Sequence, residues 1–336
     1  QRCYPTEPVS QHYAGGLVLR EMTGFIIRRL LQSLVVVLLV TVIVFILLHL
    51  LPGGPARAQL GPRATPAAIA NFNHQMGYDR PVPVQYRSWL TQLATGNLGF
   101  SPKFNQSVIS LIGERLPKTL VLTGMSTIFA LTVALPLGML QAVRRNRLVD
   151  YAITSWAFVF YATPPFFLGV VLIVVFSVYL PILPAEAPQS SSLGVILSQP
   201  AGLLLPVLTL ALLTIAQFSR YMRSSVIENL AEDYVRTARA KGASERIVLV
   251  RHVLRNSLIP VATLLGLSLP TIFSGALITE AVFNFPGMGQ LFWTAAQTQD
   301  YPIMLGITVL IGVVTVIGSL LADLAYAVLD PRVRFA

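Results

Sequence analysis

The chain has 336 residues, of which 54% are hydrophobic and only 11% charged, with a mean hydropathy of +0.68. Soluble domains carry about a quarter charged residues, so this balance excludes an ordinary soluble protein and marks a membrane protein. The net charge of +10 does not point to nucleic acid, because no soluble basic segment carries it. The single cysteine, Cys3, excludes an internal disulfide.

Residues 1–21 form a leader too polar for the apolar region of a secretory signal. Met22 is followed at once by TGFIIRRLLQSL. The leader is therefore expected to be disordered or a start-site extension, ahead of an N-terminus and first span over 22–51. Crossing the hydrocarbon core takes about 20 apolar residues. Six stretches supply them: 30–51, 119–143, 151–180, 201–219, 258–281 and 303–329. The third contains Pro164-Pro165, which predicts a kink or a broken helix.

Between the first two spans lies a long segment, 52–118. Thr65 can cap a helix that starts at Pro66, and Gly77 can end it. VPVQYRSWLTQLATG predicts a second short helix with Tyr86, Trp89, Leu90 and Leu93 on one face. A small packed cap and a docking surface for an external partner both fit this segment.

The charges choose an orientation. Arg28 and Arg29 precede the first span, and Arg144, Arg145 and Arg147 follow the second. Arg220, Arg223, Arg236, Arg239, Lys241, Arg246, Arg251 and Arg255 follow the fourth, and Arg332 and Arg334 follow the sixth. Segments 182–200 and 282–302 hold no Lys or Arg. Basic short loops stay in the cytoplasm, so both termini, including the tail 330–336, and the loop 220–257 are expected there. Long loops translocate regardless of charge, so the basic residues of 52–118 do not oppose this.

Within 220–257, Val226, Ile227, Leu230, Ala231, Tyr234, Val235 and Ala238 recur at helical spacing. Gly242 can take the left-handed conformation that stops a helix. Ser244 can cap the next one, whose apolar stripe is Ile247, Val250, Val253, Leu254 and Leu258. Three readings fit a helix–glycine–helix loop. It can lie as an amphipathic hairpin on the inner leaflet, cap the span ends, or fit as a rigid knob into a groove of a cytoplasmic partner, with charge fixing register. Glu228, Glu232, Asp233 and Glu245, interspersed with the basic residues, weaken the lipid reading.

Charges inside spans are costly and are functional candidates by default. Asp323 lies about two turns from the inner end of the sixth span and is expected to make a structural pairing. Glu280, near the outer end of the fifth, faces either the translocation path or the outer surface. His49, at the exit of the first span, reads as interfacial, since no His or Cys cluster surrounds it. The segment FPGMG, 285–289, is either a plain Pro-Gly turn or a re-entrant segment. Its apolar company of Phe283, Leu291, Phe292 and Trp293 favours the second, because irregular backbone at membrane depth must be buried in protein or line a cavity. The sequence has no glycine–lysine phosphate loop, zinc spacing or nucleophile elbow. A nucleotide driving this chain would be bound by another subunit.

DYVRTARAKGAS followed by VLVRHVLRNSLIPV resembles the cytoplasmic coupling loop of ABC importer permeases, in particular the dipeptide/oligopeptide/nickel branch. FIIRRLLQSL, LLPGGP, GNLGFS, TEAVFNFPGMGQL, DYPIM and DLAYAVLDPRVR resemble further patterns of that branch, in the same order, from Met22 to near the end of the chain. The general loop pattern begins Glu-Ala-Ala. Here Arg236-Thr237-Ala238 stands in that place, so any role of that glutamate is not carried over; Gly242 matches the loop glycine.

The resemblance implies an all-α polytopic protein of the type I ABC importer permease fold, with six transmembrane helices and a five-helix core over 119–329. It implies contact with an ATPase through Tyr234, Arg236, Thr237, Ala238, Lys241 and Gly242, and a gate or pore role for Glu280, Phe285, Pro286 and Gly287. The implied setting is the bacterial cytoplasmic (inner) membrane. The implied partners are a homologous permease in a heterodimer, two ATPases that bind ATP and Mg, and an extracytoplasmic substrate-binding protein. No cofactor is implied in this chain. Relatives in the branch are associated with dipeptides, oligopeptides, nickel complexes, glutathione or haem. An ion-coupled secondary transporter is the alternative. That class is marked by internal repeats and ionisable residues at the midplane, whereas no repeat is evident here and Asp323 lies near a span end. A scaffold without a pore is a third reading.

Overall fold

The structure, a computed structural model, describes residues 63–274 and 277–329 continuously, with 28, 31–32, 34–46, 49–50, 56–57 and 60–61 before them. The leader 1–21, the tail 330–336 and the side chain of Asp323 lie outside the described residues. The first helix, α1 (Leu34–Ile46), is an uncharged run of Leu, Val and Ile.

The next two helices form where the turn chemistry places them. In α2 (Pro66–Met76) the Thr65 hydroxyl accepts the Ala68 N–H at 3.3 Å, and Gly77 ends the helix at φ 72°. In α3 (Val82–Ala94) Tyr86 and Trp89 pack on Phe45 of α1. The Tyr86 hydroxyl also meets that of Thr41 at 3.0 Å. A two-stranded antiparallel hairpin follows, β1 (Phe100–Ser101) and β2 (Gln106–Ser107), with Phe100 opposite Ser107. Its Ser101 hydroxyl donates to the buried Asp300 carboxylate. Burial pushes the Asp300 carboxyl up, and the Ser101 bond opposes that shift.

Ser107 caps the long helix α4 (Val108–Val143), accepting the Ser110 N–H at 3.4 Å. Residues 108–118, which the apolar count left in the outer segment, belong to this helix. Glu114, Arg115 and Lys118 interrupt the hydropathy there but not the backbone. Two further helices, α5 (Leu148–Ala162) and α6 (Pro165–Ile173), meet at the predicted break. Thr163 and Pro164 each precede a proline, and both are extended, with ψ 125° and 137°. This is the steric consequence of the following ring, and the pair bends by 103°. A π-helix, Val174–Tyr179, continues α6.

After the short α7 (Leu193–Leu197) comes α8 (Pro200–Leu230). It passes through the expected fourth span and on into the loop. The rest comprises α9 (Asp233–Ala240), α10 (Glu245–Ile247), a π-helix Val248–Val253, α11 (Leu254–Ser274), α12 (Leu277–Val282), α13 (Met288–Thr298) and α14 (Tyr301–Leu329). Four helical stretches among the described residues are long and apolar enough to cross a membrane, or five if the bent pair counts as one span. The α1 helix has its flanking residues partly outside the description.

The core is the α4–α8 contact, the most extensive between helices. Ala130, Ala134 and Ala142 of α4 face Ala211, Ile215, Phe218 and Met222 of α8. Small residues let the helices approach closely, and dispersion contacts then hold them in lipid. Gly138 marks the tightest point, where a Cβ would lie 2.6 Å from both Met222 Cβ and the Ser219 carbonyl oxygen. Gly138→Leu is expected to prise α4 from α8 and to cost about 3 kcal/mol, the upper end of overpacking. The check is a large fall in the melting temperature of the detergent-solubilised protein.

Candidate functional site

The loop 220–257 is built on α8. At Ala231-Glu232 the helix breaks, and α9 starts in a new direction. Tyr234 bridges the break: its hydroxyl donates to Asn229 Oδ1 at 2.7 Å, and Asn229 Nδ2 donates to the Ser225 carbonyl at 2.9 Å. The stop at Gly242 is the one its residue type predicts, with φ +79°. The Gly242 N–H bonds the Arg239 carbonyl, and the Ala243 N–H bonds the Ala238 carbonyl, the double closure of a Schellman turn. Arg239 Nε and Nη2 then donate to Glu245 at 2.8 and 3.2 Å across the turn. Ser244 is extended, but its side chain makes no capping hydrogen bond; the predicted cap does not form.

The apolar side of the loop is spent within the protein. Val235, Ala238, Val248 and Val253 are buried in one cluster with Ala142, Met222 and Val226. The stripe of the second arm differs from the expected one. Ile247 and Val250 are exposed, while Val248, Val253, Ser257 and Val261 are buried. The wider turn of the π-helix sets Val253 five positions after Val248 and so rotates the buried face. Of the residues singled out from sequence, Arg236, Thr237, Lys241 and Gly242 are exposed, Tyr234 is half-buried and Ala238 points into the core. A Cβ at Gly242 would meet nothing within 4 Å.

Sequence reading passed over the pair that anchors this loop. Asp150, buried in the first turn of α5, accepts both Nε and Nη2 of Arg223 from α8 at 2.8 Å each. It also accepts the Asn146 N–H at 3.0 Å, where Asn146 sits at φ 61°. A lone carboxylate just inside a span, beside three arginines, was the available signal. Its bidentate geometry makes a directional, charge-assisted link between the loop-bearing helix and the bent pair.

At the other end of the molecule Glu280 is fully buried within the chain. Glu280 Oε1 accepts the Thr119 hydroxyl at 2.8 Å, while Oε2 accepts the N–H groups of Gly289 at 2.7 Å and Gln290 at 3.2 Å. The Met288 N–H donates to Thr119 Oγ1 at 2.8 Å. These amides begin α13, whose own N-cap, Gly287, has no side chain. Glu280 and Thr119 therefore cap α13 from α12 and α4. Phe285, Pro286 and Gly287 are buried, and a Cβ at Gly287 would strike Glu280 and Thr119. Nearby, the Phe283 carbonyl accepts the Ala187 N–H at 2.8 Å, and Phe283 contacts the α6 backbone at Gly169. Among the described residues no group of His, Cys, Asp and Glu could hold a metal.

Residues 134–335 match the family model described as binding-protein-dependent transport system inner membrane component, and residues 22–123 match the model of its N-terminal part. A relative from Brucella suis whose name is that of a peptide permease protein is 41% identical over 317 residues, covering 93% of this chain and 99% of the relative. The oligopeptide transport system permease protein AppB of Bacillus subtilis is 38% identical over 316 residues, covering 94% and 100%. The glutathione transport system permease protein GsiC of Salmonella typhimurium is 36% identical over 314 residues, covering 94% and 100%.

Proposed function

The chain belongs to the family of binding-protein-dependent transport system inner membrane components, and we propose that it forms half of the translocation pathway of an ATP-driven peptide importer. The peptide substrate rests on what the relatives are named for. The chain itself does no bond chemistry. ATP and Mg belong to two ATPase subunits, a homologous permease supplies the other half of the pathway, and an extracytoplasmic binding protein delivers the peptide. The basic loops put both termini and the coupling loop in the cytoplasm, and six spans complete the fold.

One observation carries the coupling role. Val235, Ala238, Val248 and Val253 are buried in the loop's own core, so they are not free to enter the leaflet. Arg236, Thr237, Lys241 and Gly242 stay exposed on a short helix held at both ends. A rigid polar knob of this kind suits a groove on a partner. Exposed Ile247 and Val250 supply apolar contact that the sequence did not reveal. When the ATPases close, α9 moves with them, and α8 follows as a continuous rod. The Asp150–Arg223 link carries the motion into α5 and the bent pair. Its far arm abuts Phe283, beside the capped segment held by Glu280. Switching this assembly between two packings gives access to each side in turn.

Affinity purification from the native membrane in gentle detergent, with mass spectrometry and an ATPase assay, tests the proposal. Recovery of a homologous permease and P-loop ATPases with ATP hydrolysis is expected. An intact chain recovered alone, without ATPase activity, would favour the ion-coupled alternative.

A further inference from the structure

The elbow between α5 and α6 has little backbone hold. Neither Pro164 nor Pro165 carries an N–H, so the helical ladder is interrupted across the 103° bend, and tertiary contacts have to set its direction. Two such contacts come from one turn of α8. Arg223 holds Asp150, in the first turn of α5, through two nitrogens at 2.8 Å each. Arg220, about 4.5 Å back along α8, stands with its Cζ 5.1 Å from the centroid of the Tyr161 ring. Tyr161 is the last residue but one of α5, so its ring sits at the elbow. Asp150 and Tyr161 are about 16 Å apart along α5. The two arginines therefore splay to reach both ends of the same helix. One anchor would let α5 pivot about it; anchors at both ends fix its line on α8. Between them Trp156 packs against the core and Ala157 is buried. Beyond the elbow, α6 lies against the segment after α12: a Cβ at Gly169 would be 3.2 Å from both Val282 and Phe283.

We propose that Arg220 and Tyr161 are positioning residues, a cation–π clasp that aims the elbow so that α5 and α8 move as one lever. The guanidinium is drawn to the negative face of the ring and needs no carboxylate at this place. Both side chains lie on the surface of the chain, Tyr161 at 57% exposure, so the clasp gives direction without filling the core. Without it α5 stays attached at Asp150, but its far end and α6 swing, and part of each stroke of α8 is lost before it reaches Phe283. The stroke itself rests on the importer reading above; the clasp does not.

Two measurements on the assembled transporter test this. The first is peptide uptake per ATP hydrolysed in proteoliposomes, beside the melting temperature. Tyr161→Leu and Arg220→Met should each lower that ratio about three-fold, the size of one partly exposed cation–π contact, with hydrolysis and melting temperature unchanged. The double variant should do no worse than either single one, as for two residues that act only through each other. Tyr161→Phe keeps the ring face and should transport as the wild type does. Wild-type ratios in the single variants, additive losses in the double one, a Tyr161→Phe as impaired as Tyr161→Leu, or a melting temperature that falls in step with the ratio each overturn the proposal. The second measurement reads the clasp without transport. Spin labels at Glu228 on α8 and Phe167 on α6, both exposed, should give a broader distance distribution in Tyr161→Leu than in the wild type or Tyr161→Phe. An unchanged distribution overturns the clasp, whereas a wild type without ATP-driven uptake overturns the importer reading instead.

Discussion

Gly242→Asp is expected to leave a folded, membrane-inserted chain that no longer supports peptide uptake, with transport falling at least ten-fold. Gly242 has φ +79°, and a Cβ there would meet nothing within 4 Å. Asp is among the few non-glycine residues that visit the left-handed region, so the strain is of order 1 kcal/mol and the Schellman turn survives. What changes is the exposed tip, which gains a carboxylate where a partner surface is expected to fit closely. Gly242→Asn separates strain from charge, since it shares the backbone tolerance and adds no charge; it should retain most of the uptake. Uptake in proteoliposomes, beside the melting temperature of each variant, checks both. Equal loss in Asn and Asp, with a lowered melting temperature, would place the defect in the turn instead of the contact.

Glu280→Ala is expected to be the most destabilising single change around α12 and α13, costing about 3–5 kcal/mol. It strands the buried Gly289 amide and Thr119 hydroxyl and the part-buried Gln290 amide without an acceptor. It also removes a carboxylate from the start of α13. Glu280→Gln should cost only about 1 kcal/mol. Its carbonyl can still face the amides while its NH₂ turns to Thr119 Oγ1, leaving the threonine proton and the second amide proton unpaired. Thermal unfolding and proteolysis at 283–289 would report the order, with Ala far below Gln. If the two variants melted together, the carboxylate would not be what holds the segment.

Local chemistry made much of this molecule legible. Thr65, Pro66 and Gly77 bound α2 as their residue types require, and the tandem prolines break the third span. Gly242 turns the 220–257 loop where the sequence places a turn. What escaped was decided between segments. Nothing local says that α4 runs through Glu114, Arg115 and Lys118, because tertiary partners such as the Ser190 carbonyl, 3.0 Å from Lys118 Nζ, absorb the charge. The π-helix at Val248–Val253 rotates the second arm without a residue signature. The capping role of Glu280 was not legible, because its partners, Thr119 and the amides after Gly287, are distant or carry no side-chain signal. Asp150 and Arg223 are 73 positions apart, beyond any periodicity.

The most direct measurement is site-specific cross-linking from the coupling loop in the assembled transporter. Cysteine at Thr237, exposed on α9, and at Ala238, turned into the core, are compared with a short bifunctional reagent. The expected result is a cross-link from position 237 to an ATPase subunit that changes in yield when ATP is added, and none from position 238. A cross-link from 237 only to lipid-facing or unrelated proteins, in a sample with demonstrated ATP-driven uptake, would contradict the claim that this loop is where the ATPase holds the permease.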